Sequence, residues 1–267
     1  MSLKDLTTQN ILRHKPYIPG KQPANFEQTI KLNTNENPYP PSPEISKSIL
    51  GQIDSLARYP NSSADSLRST IAKLHNIEDE QVIVGNGSDD ILNLCVRCFS
   101  DQSKSIGMLE PSYSLYEVLG SLQGAKVQKF DFTDSRFEIN PEVVSKSGTN
   151  LFFLTSPHAP TGRIYNNSIF SSIINQYSGI LVIDEAYADF APFNAISILN
   201  ESERVIITRT LSKSYSLAGL RVGYALASPD IISTLNKARE VYNVDRLAQY
   251  IAEIALNDRG YFEKTKK

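Results

Sequence analysis

The segment Gly179-Ile180-Leu181-Val182-Ile183-Asp184-Glu185-Ala186-Tyr187 passes from an unbroken aliphatic run straight into two carboxylates. A short apolar run of this kind, bounded by glycine and polar residues, reads as a buried strand. Working outward, similar runs occur at Gln81–Val84, Ser105–Leu109, Lys126–Phe132, Leu151–Thr155, Val205–Thr208 and Val222–Ala227. Between most of them lie stretches of helical periodicity, such as Ser88–Phe99, Ser112–Leu122 and Asn167–Tyr177. Strands alternating with helices predict an α/β fold, a mostly parallel sheet flanked by helices.

The flanks differ from this centre. Pro16, Pro19, Gly20, Pro23, Pro38, Pro40, Pro41 and Pro43 punctuate the first fifty residues, and that density favours extended backbone. Residues 1–50 therefore read as an arm and 51–230 as the sheet domain. From Pro229 onward the pattern is mainly helical, with Asn243 and Gly260 as interruptions.

Bulk properties exclude several function classes. The 267 residues are 40% hydrophobic and 21% charged, ordinary for a soluble globular protein. A net charge of −2 gives no electrostatic case for nucleic acid or an anionic membrane surface. The N-terminus has no apolar core of a signal peptide, and no apolar run approaches the ~18–20 residues of a membrane span. A cytoplasmic location is the default. Cys95 and Cys98 form a C-x-x-C spacing, but two thiols without a neighbouring Cys or His do not complete a zinc site. They fall at helical spacing among apolar residues and read as buried helix-face cysteines. His14, His75 and His158 are scattered, so no metal site is expected.

Four polar motifs follow strands, at the carboxyl ends where open α/β sheets bind ligands. Gly85-Asn86-Gly87-Ser88-Asp89-Asp90 opens a helix, which makes it either a capped helix start or an anion cradle of free backbone N–H groups. It lacks the lysine and spacing of a P-loop. Ser156-Pro157-His158-Ala159-Pro160-Thr161-Gly162 is a rigid turn. Asp184 ends an apolar strand, where a carboxylate is costly unless a charged or hydrogen-bonding group meets it. Thr208 to Arg221 carries hydroxyls at Thr210, Ser212 and Ser214, then Lys213, with Arg221 eight residues further on. Together these supply an anion cradle, an acid, an amine, an arginine and aromatics. Pyridoxal 5'-phosphate (PLP) needs that set: a phosphate seat, an acid for its pyridine nitrogen and an amine for its aldehyde.

Pro16-Tyr17-Ile18-Pro19-Gly20, Leu32-Asn33-Thr34-Asn35-Glu36-Asn37-Pro38, Arg58-Tyr59-Pro60, Gly85–Asp90, Pro111-Ser112-Tyr113, Asp184–Tyr187 and Thr210–Arg221 occur in that order. On these segments the chain, from about residue 10 to Gln249, resembles the histidinol-phosphate aminotransferase family of fold-type-I PLP enzymes. The resemblance implies that Lys213 carries the cofactor covalently and, once freed, moves a proton at the substrate. That role requires a neutral amine, favoured by burial and by the nearby Arg221. Asp184 is then the partner of the pyridine nitrogen, Tyr187 of the ring's 3-oxygen, and Tyr113 stacks on the ring. Backbone N–H groups around Gly87, Ser88 and Asp89, the hydroxyls of Thr210 and Ser212, and Arg221 hold the phosphate. Tyr59 reaches the cofactor of a neighbouring subunit, implying a homodimer, and Tyr17 and Asn37 face the substrate.

The implied reaction moves an amino group between histidinol phosphate and 2-oxoglutarate, in histidine biosynthesis. Alternatives on the same fold are an aromatic aminotransferase, a phosphothreonine decarboxylase, and a non-catalytic binding module; the Pro16–Gly20 arm favours the first reading. Three departures from the family stand out. Ala159 replaces an Asn that bonds the cofactor's 3-oxygen. Asp245 and Arg246 replace a small polar pair. Only 18 residues follow Gln249, so residues 231–267 are expected to be the helical start of an incomplete C-terminal domain. Cofactor binding is expected to survive this and turnover to suffer.

Overall fold

The chain opens with two short helices, α1 (Leu3–Leu6) and α2 (Gln9–Arg13), that bury none of their residues. The computed structural model describes residues 1–25 and 28–266. After an extended stretch, Ser42 caps α3 (Pro43–Ser48) by accepting from Glu44 N at 3.2 Å, with Pro43 in the first turn where its missing N–H costs nothing. Ile45 of α3 is buried, so packed structure begins inside the expected arm. Helix α4 (Asp65–His75) leads to strand β1 (Val82–Asn86) and helix α5 (Ser88–Phe99). Then follow β2 (Ile106–Glu110), α6 (Leu115–Gln123), β3 (Val127–Asp131), α7 (Pro141–Ser145) and β4 (Leu151–Thr155). Helix α8 (Asn167–Ile174), β5 (Ile180–Asp184), β6 (Val205–Thr210) and β7 (Val222–Ala227) complete the sheet.

The seven strands lie in the order β1-β7-β6-β5-β4-β2-β3. Only β7 runs against its neighbours; it pairs antiparallel with both β1 and β6, while all other pairs are parallel. The fold is thus the mostly parallel α/β sheet that the alternation predicted. Strand β4, Leu-Phe-Phe-Leu-Thr, is buried at every position, as a strand covered on both faces must be. One face packs against α5, α6 and helix α9 (Pro229–Ala238) through Ile91, Cys95, Tyr116, Leu119, Ile231 and Leu235. The other packs against α4, α8 and two last helices, α10 (Arg246–Asn257) and α11 (Arg259–Thr265).

The C-terminal helices do not have a core of their own among the described residues. Ala248, Ile251, Ala252, Ala255 and Leu256 of α10 and Phe262 of α11 share one cluster with Leu67 and Ile71 of α4. Asp245 and Asp258 cap the two helices, accepting from Ala248 N (2.9 Å) and Tyr261 N (3.1 Å). Asp245 is therefore a good N-cap. Phe262 stacks on Tyr215 at 4.6 Å, and Arg259 Nη1 donates to the Tyr215 hydroxyl at 2.7 Å. Helix α9, across residue 230, packs in one cluster with α5 and α6. No described helix is long and apolar enough to cross a membrane.

Candidate active site

Thr155, Asp184 and Thr210 close strands β4, β5 and β6, and the loops beyond these ends carry the site. Lys213 sits in the loop after β6, partly buried between the buried Ser212 and Ser214. Its Nζ donates to Thr34 O at 2.6 Å and lies 5.8 Å from the Tyr187 ring centre. Burial lowers the lysine's pKa from its ordinary 10.5; Arg221 and Lys31 add to the shift, and Glu36 and Asp89 oppose it. Burial, rather than Arg221, is thus the main cause of the depression.

Asp184 is 3% exposed. Its carboxylate accepts from Tyr116 OH (2.7 Å), Thr208 Oγ1 (3.1 Å) and Ala186 N (3.2 Å), all neutral donors. No cation pairs with it among the described residues, and burial raises its pKa despite those three bonds. A buried carboxylate held in place without a counter-charge is suited to a cationic N–H brought by a ligand.

The turn read as a capped helix start or an anion cradle lies at the start of α5. Gly87 is its N-cap, with φ 83°, and no side chain caps the first N–H groups. A Cβ on Gly87 would stand 2.4 Å from Arg221 Nη2, and one on Gly223 of β7 would stand 2.2 Å from Ser88 N. Both glycines therefore let strand, helix start and arginine converge. Arg221 Nη2 is 2.9 Å from Asp89 Oδ2, and Tyr113 OH donates to Asp89 Oδ1 at 3.3 Å. Thr210 Oγ1 donates to Ser212 Oγ at 2.9 Å and accepts from Ser212 N at 3.1 Å, placing both hydroxyls in one turn.

The proline-rich arm crosses this site. Besides Thr34, Asn35 Nδ2 donates to Tyr187 OH at 3.0 Å, and Asn37 Nδ2 donates to Lys213 O at 3.1 Å. Tyr17 meets Tyr113 edge-on at 6.3 Å, and Tyr113 meets Tyr116 edge-on at 5.6 Å. Two sets of contacts result: one joins Lys213, Tyr187 and Asn37 with the arm, and the other joins Tyr17, Tyr113, Asp89 and Arg221 with Asp184 through Tyr116. Tyr59 stands apart: it is 76% exposed and stacks on Tyr242 at 4.6 Å. Ala159 follows the buried His158, whose Nε2 donates to Pro111 O (2.9 Å) while Nδ1 faces Thr161 Oγ1 (2.8 Å).

Sequence reading missed the residues around Asp184 and beneath the lysine loop. Tyr116, in the first turn of α6, was open to discovery by its three-residue spacing from Tyr113 in the helix expected over Ser112–Leu122. Glu185 and Arg209 were not: they form a buried pair whose partners become visible only when β5 and β6 are laid side by side.

A lone buried carboxylate, an amine of lowered proton affinity and an arginine at a helix N-terminus fit the three polar ends of PLP. Comparison with known proteins agrees. Residues 27–267 match the family described as aminotransferase class I and II. The histidinol-phosphate aminotransferase of Geobacter sulfurreducens is 44% identical over 258 residues, covering 95% of this chain and 73% of that protein. That of Synechocystis is 44% identical over 252 residues, covering 94% and 71%. In structure, the histidinol-phosphate aminotransferase of Sinorhizobium meliloti in complex with pyridoxal-5'-phosphate superposes with a TM-score of 0.81 at 24% identity. The match covers 87% of this chain and 65% of that one, so the chain spans a little under two thirds of that structure. The chain belongs to the class I and II aminotransferases and, within them, to the histidinol-phosphate aminotransferase family.

Proposed function

We propose that this chain uses PLP to move an amino group between histidinol phosphate and 2-oxoglutarate. The observation that supports the reading is that Lys213, partly buried and with a lowered pKa, feels the fields of Asp89 and Arg221 at the same sheet end where the cation-free Asp184 closes β5. Bound PLP supplies an electron sink for the charge that develops when the substrate Cα loses its proton. Asp184, fixed by Tyr116 and Thr208, holds a proton on the pyridine nitrogen. Tyr187 donates to the 3-oxygen while Asn35 fixes its hydroxyl. Arg221, the α5 N-terminus and the hydroxyls of Thr210 and Ser212 hold the phosphate.

Lys213 would move the proton between the substrate Cα and the cofactor's C4′ carbon, which needs its unprotonated form. The arm, anchored through Thr34 and Asn37, covers the amine and limits water. Tyr113 lies against the ring, and Tyr17 and Asn37 face the substrate. Tyr59, exposed in a single chain, reaches the cofactor of a second subunit in a homodimer.

The test is reconstitution with PLP, borohydride fixation and peptide mapping, followed by single turnovers with histidinol phosphate, phosphothreonine and phenylalanine. Fixation at Lys213 and fastest amino transfer from histidinol phosphate are expected. Fixation elsewhere would remove Lys213 from its role. Preferred transfer from phenylalanine, or decarboxylation of phosphothreonine, would move the chain to another branch of the fold.

A further inference from the structure

Strand β1 is one of the two edges of the sheet, and beside it lies a cavity of about 200 Å³. None of its lining residues belongs to the candidate active site. Arg68 and Arg239 both line it, together with Ser62, Ser63, Asn236 and Asn243, over a floor formed by the edge strand.

The two guanidinium groups are held by neutral oxygens. Arg68 Nε donates to Val82 O at 2.9 Å, and its Nη2 donates to Asp79 O. Arg239 Nε donates to Asn236 Oδ1 at 3.0 Å, and its Nη1 donates to Glu240 O, Val241 O and Asn243 Oδ1 at 2.9–3.2 Å. These bonds fix orientation without cancelling charge. The nearby carboxylates do little more. Asp65 is 3.7 Å from Arg68 Nη1 and 65% exposed, which makes a weak pair. Asp90 is engaged by Asn243 Nδ2 (3.1 Å) and Asn86 N (2.9 Å).

Two cations thus share one cavity wall with little compensation. Burial lowers the pKa of Arg239, Asp90 opposes the shift, and Arg68 lowers it further. Among the described hydrogen bonds none uses Arg239 Nη2 or the hydroxyls of Ser62 and Ser63, which line the same cavity. The volume lies below the ~300–1,000 Å³ of pockets that bury drug-sized ligands, which suits a small anion rather than a nucleotide.

We propose that this cavity is a second anion site, taking the phosphate or carboxylate group of a small metabolite between Arg68, Arg239 and the serine hydroxyls. Planar guanidiniums held in advance lose little freedom on meeting an oxyanion.

The site is tested on protein loaded with PLP, so that the Arg221 seat is filled, by calorimetric titration with inorganic phosphate and separately with succinate. Saturable binding of at least one is expected, weakened at least tenfold by Arg239→Gln. Ser63→Asp changes only an exposed side chain and sets a carboxylate at the mouth; it should weaken binding as much, and it carries the test if Arg239→Gln does not fold. Phosphate-only binding identifies a phosphomonoester ligand, and succinate-only binding a carboxylate. Absence of saturable binding by either anion, or equal affinity in wild type and both variants, overturns the site. If PLP does not load, the same titrations on Arg221→Gln protein separate this site from the proposed cofactor seat.

Discussion

Glu185 and Arg209 face each other as a nearly water-free ion pair, with Oε2 2.7 Å from Nη2 and 2.8 Å from Nε, and side chains 2% and 5% exposed. The Nη2 contact is off-line, an ion pair rather than a hydrogen bond. Glu185 Oε1 accepts from Ala195 N at 2.5 Å. Arg209 Nη1 reaches Asp189 at 3.1 Å, and Asp189 Oδ2 accepts from Ser214 Oγ at 2.5 Å. The loop after Asp184 and the loop carrying Lys213 are therefore tied through one buried arginine. Burial of two charges is costly and the pair only offsets that cost, but losing one partner strands the other. Arg209→Met should destabilise the chain by about 3–5 kcal/mol in urea unfolding. Adding Glu185→Gln, which keeps an acceptor for Ala195 N, should recover more than half of the loss. Additive losses in the double variant would mean that the two side chains act independently.

Asp184 presents the opposite case, a buried charge that waits for its partner. Replacing it with Asn keeps the size and leaves an acceptor for Tyr116, but removes the charge proposed to hold a proton on the cofactor's ring nitrogen. Cofactor affinity should fall less than tenfold, because the phosphate seat is untouched, while the rate of amino transfer falls by about 10²–10³-fold. Stopped-flow half-reactions beside equilibrium dialysis separate the two. Equal losses in both would make Asp184 a structural residue.

The aliphatic runs foretold the sheet because a strand covered on both faces must be apolar throughout, and each run recurs within two residues of its place. Periodicity could not foretell α6 beginning at Leu115 instead of Ser112, since Glu110-Pro111 and Ser114 shape a turn with no apolar pattern. Motif order pointed to Lys213, Asp184 and Arg221, because each needs a residue type at a strand end. It could not reveal that Thr34 and Asn35 bond Lys213 and Tyr187, across 179 and 152 positions. Nor could it show α10 folding back on α4, a contact that depends on where the whole chain leads.

Ala159 leaves the loop before Pro160 with a methyl group where the resemblance to the family implies an amide. Restoring Asn should add one hydrogen bond to the cofactor, worth about 0.5–1.5 kcal/mol, or roughly two- to tenfold in affinity. Equilibrium dialysis of PLP against wild type and Ala159→Asn measures it. Unchanged affinity would show that another donor already serves that oxygen.

His75 gives the fold a dependence on pH that is separate from the active site. Its Nε2 lies 2.8 Å from Tyr224 OH, and its pKa is lowered from 6.5 to about 3, first by burial and then by the fields of Arg209 and Arg259. Tyr224 is itself buried with a raised pKa, so its phenol stays protonated and gives His75 no charge. A histidine neutral in the folded chain but protonated when unfolded makes unfolding take up a proton. The stability tied to its neutral form is complete above pH 6.5 and is lost as pH falls from 6.5 towards about 3. The loss should be roughly 1.4 kcal/mol per pH unit within that window. His75→Gln can still accept from Tyr224 but cannot titrate, so it should be less stable at pH 7 and resist acid better. Urea unfolding of both proteins at several pH values between 7 and 4.5 should show wild type losing its advantage by about that slope. Parallel curves would mean that His75 stays neutral in both states or is solvated in both, and the assigned burial effect would be wrong.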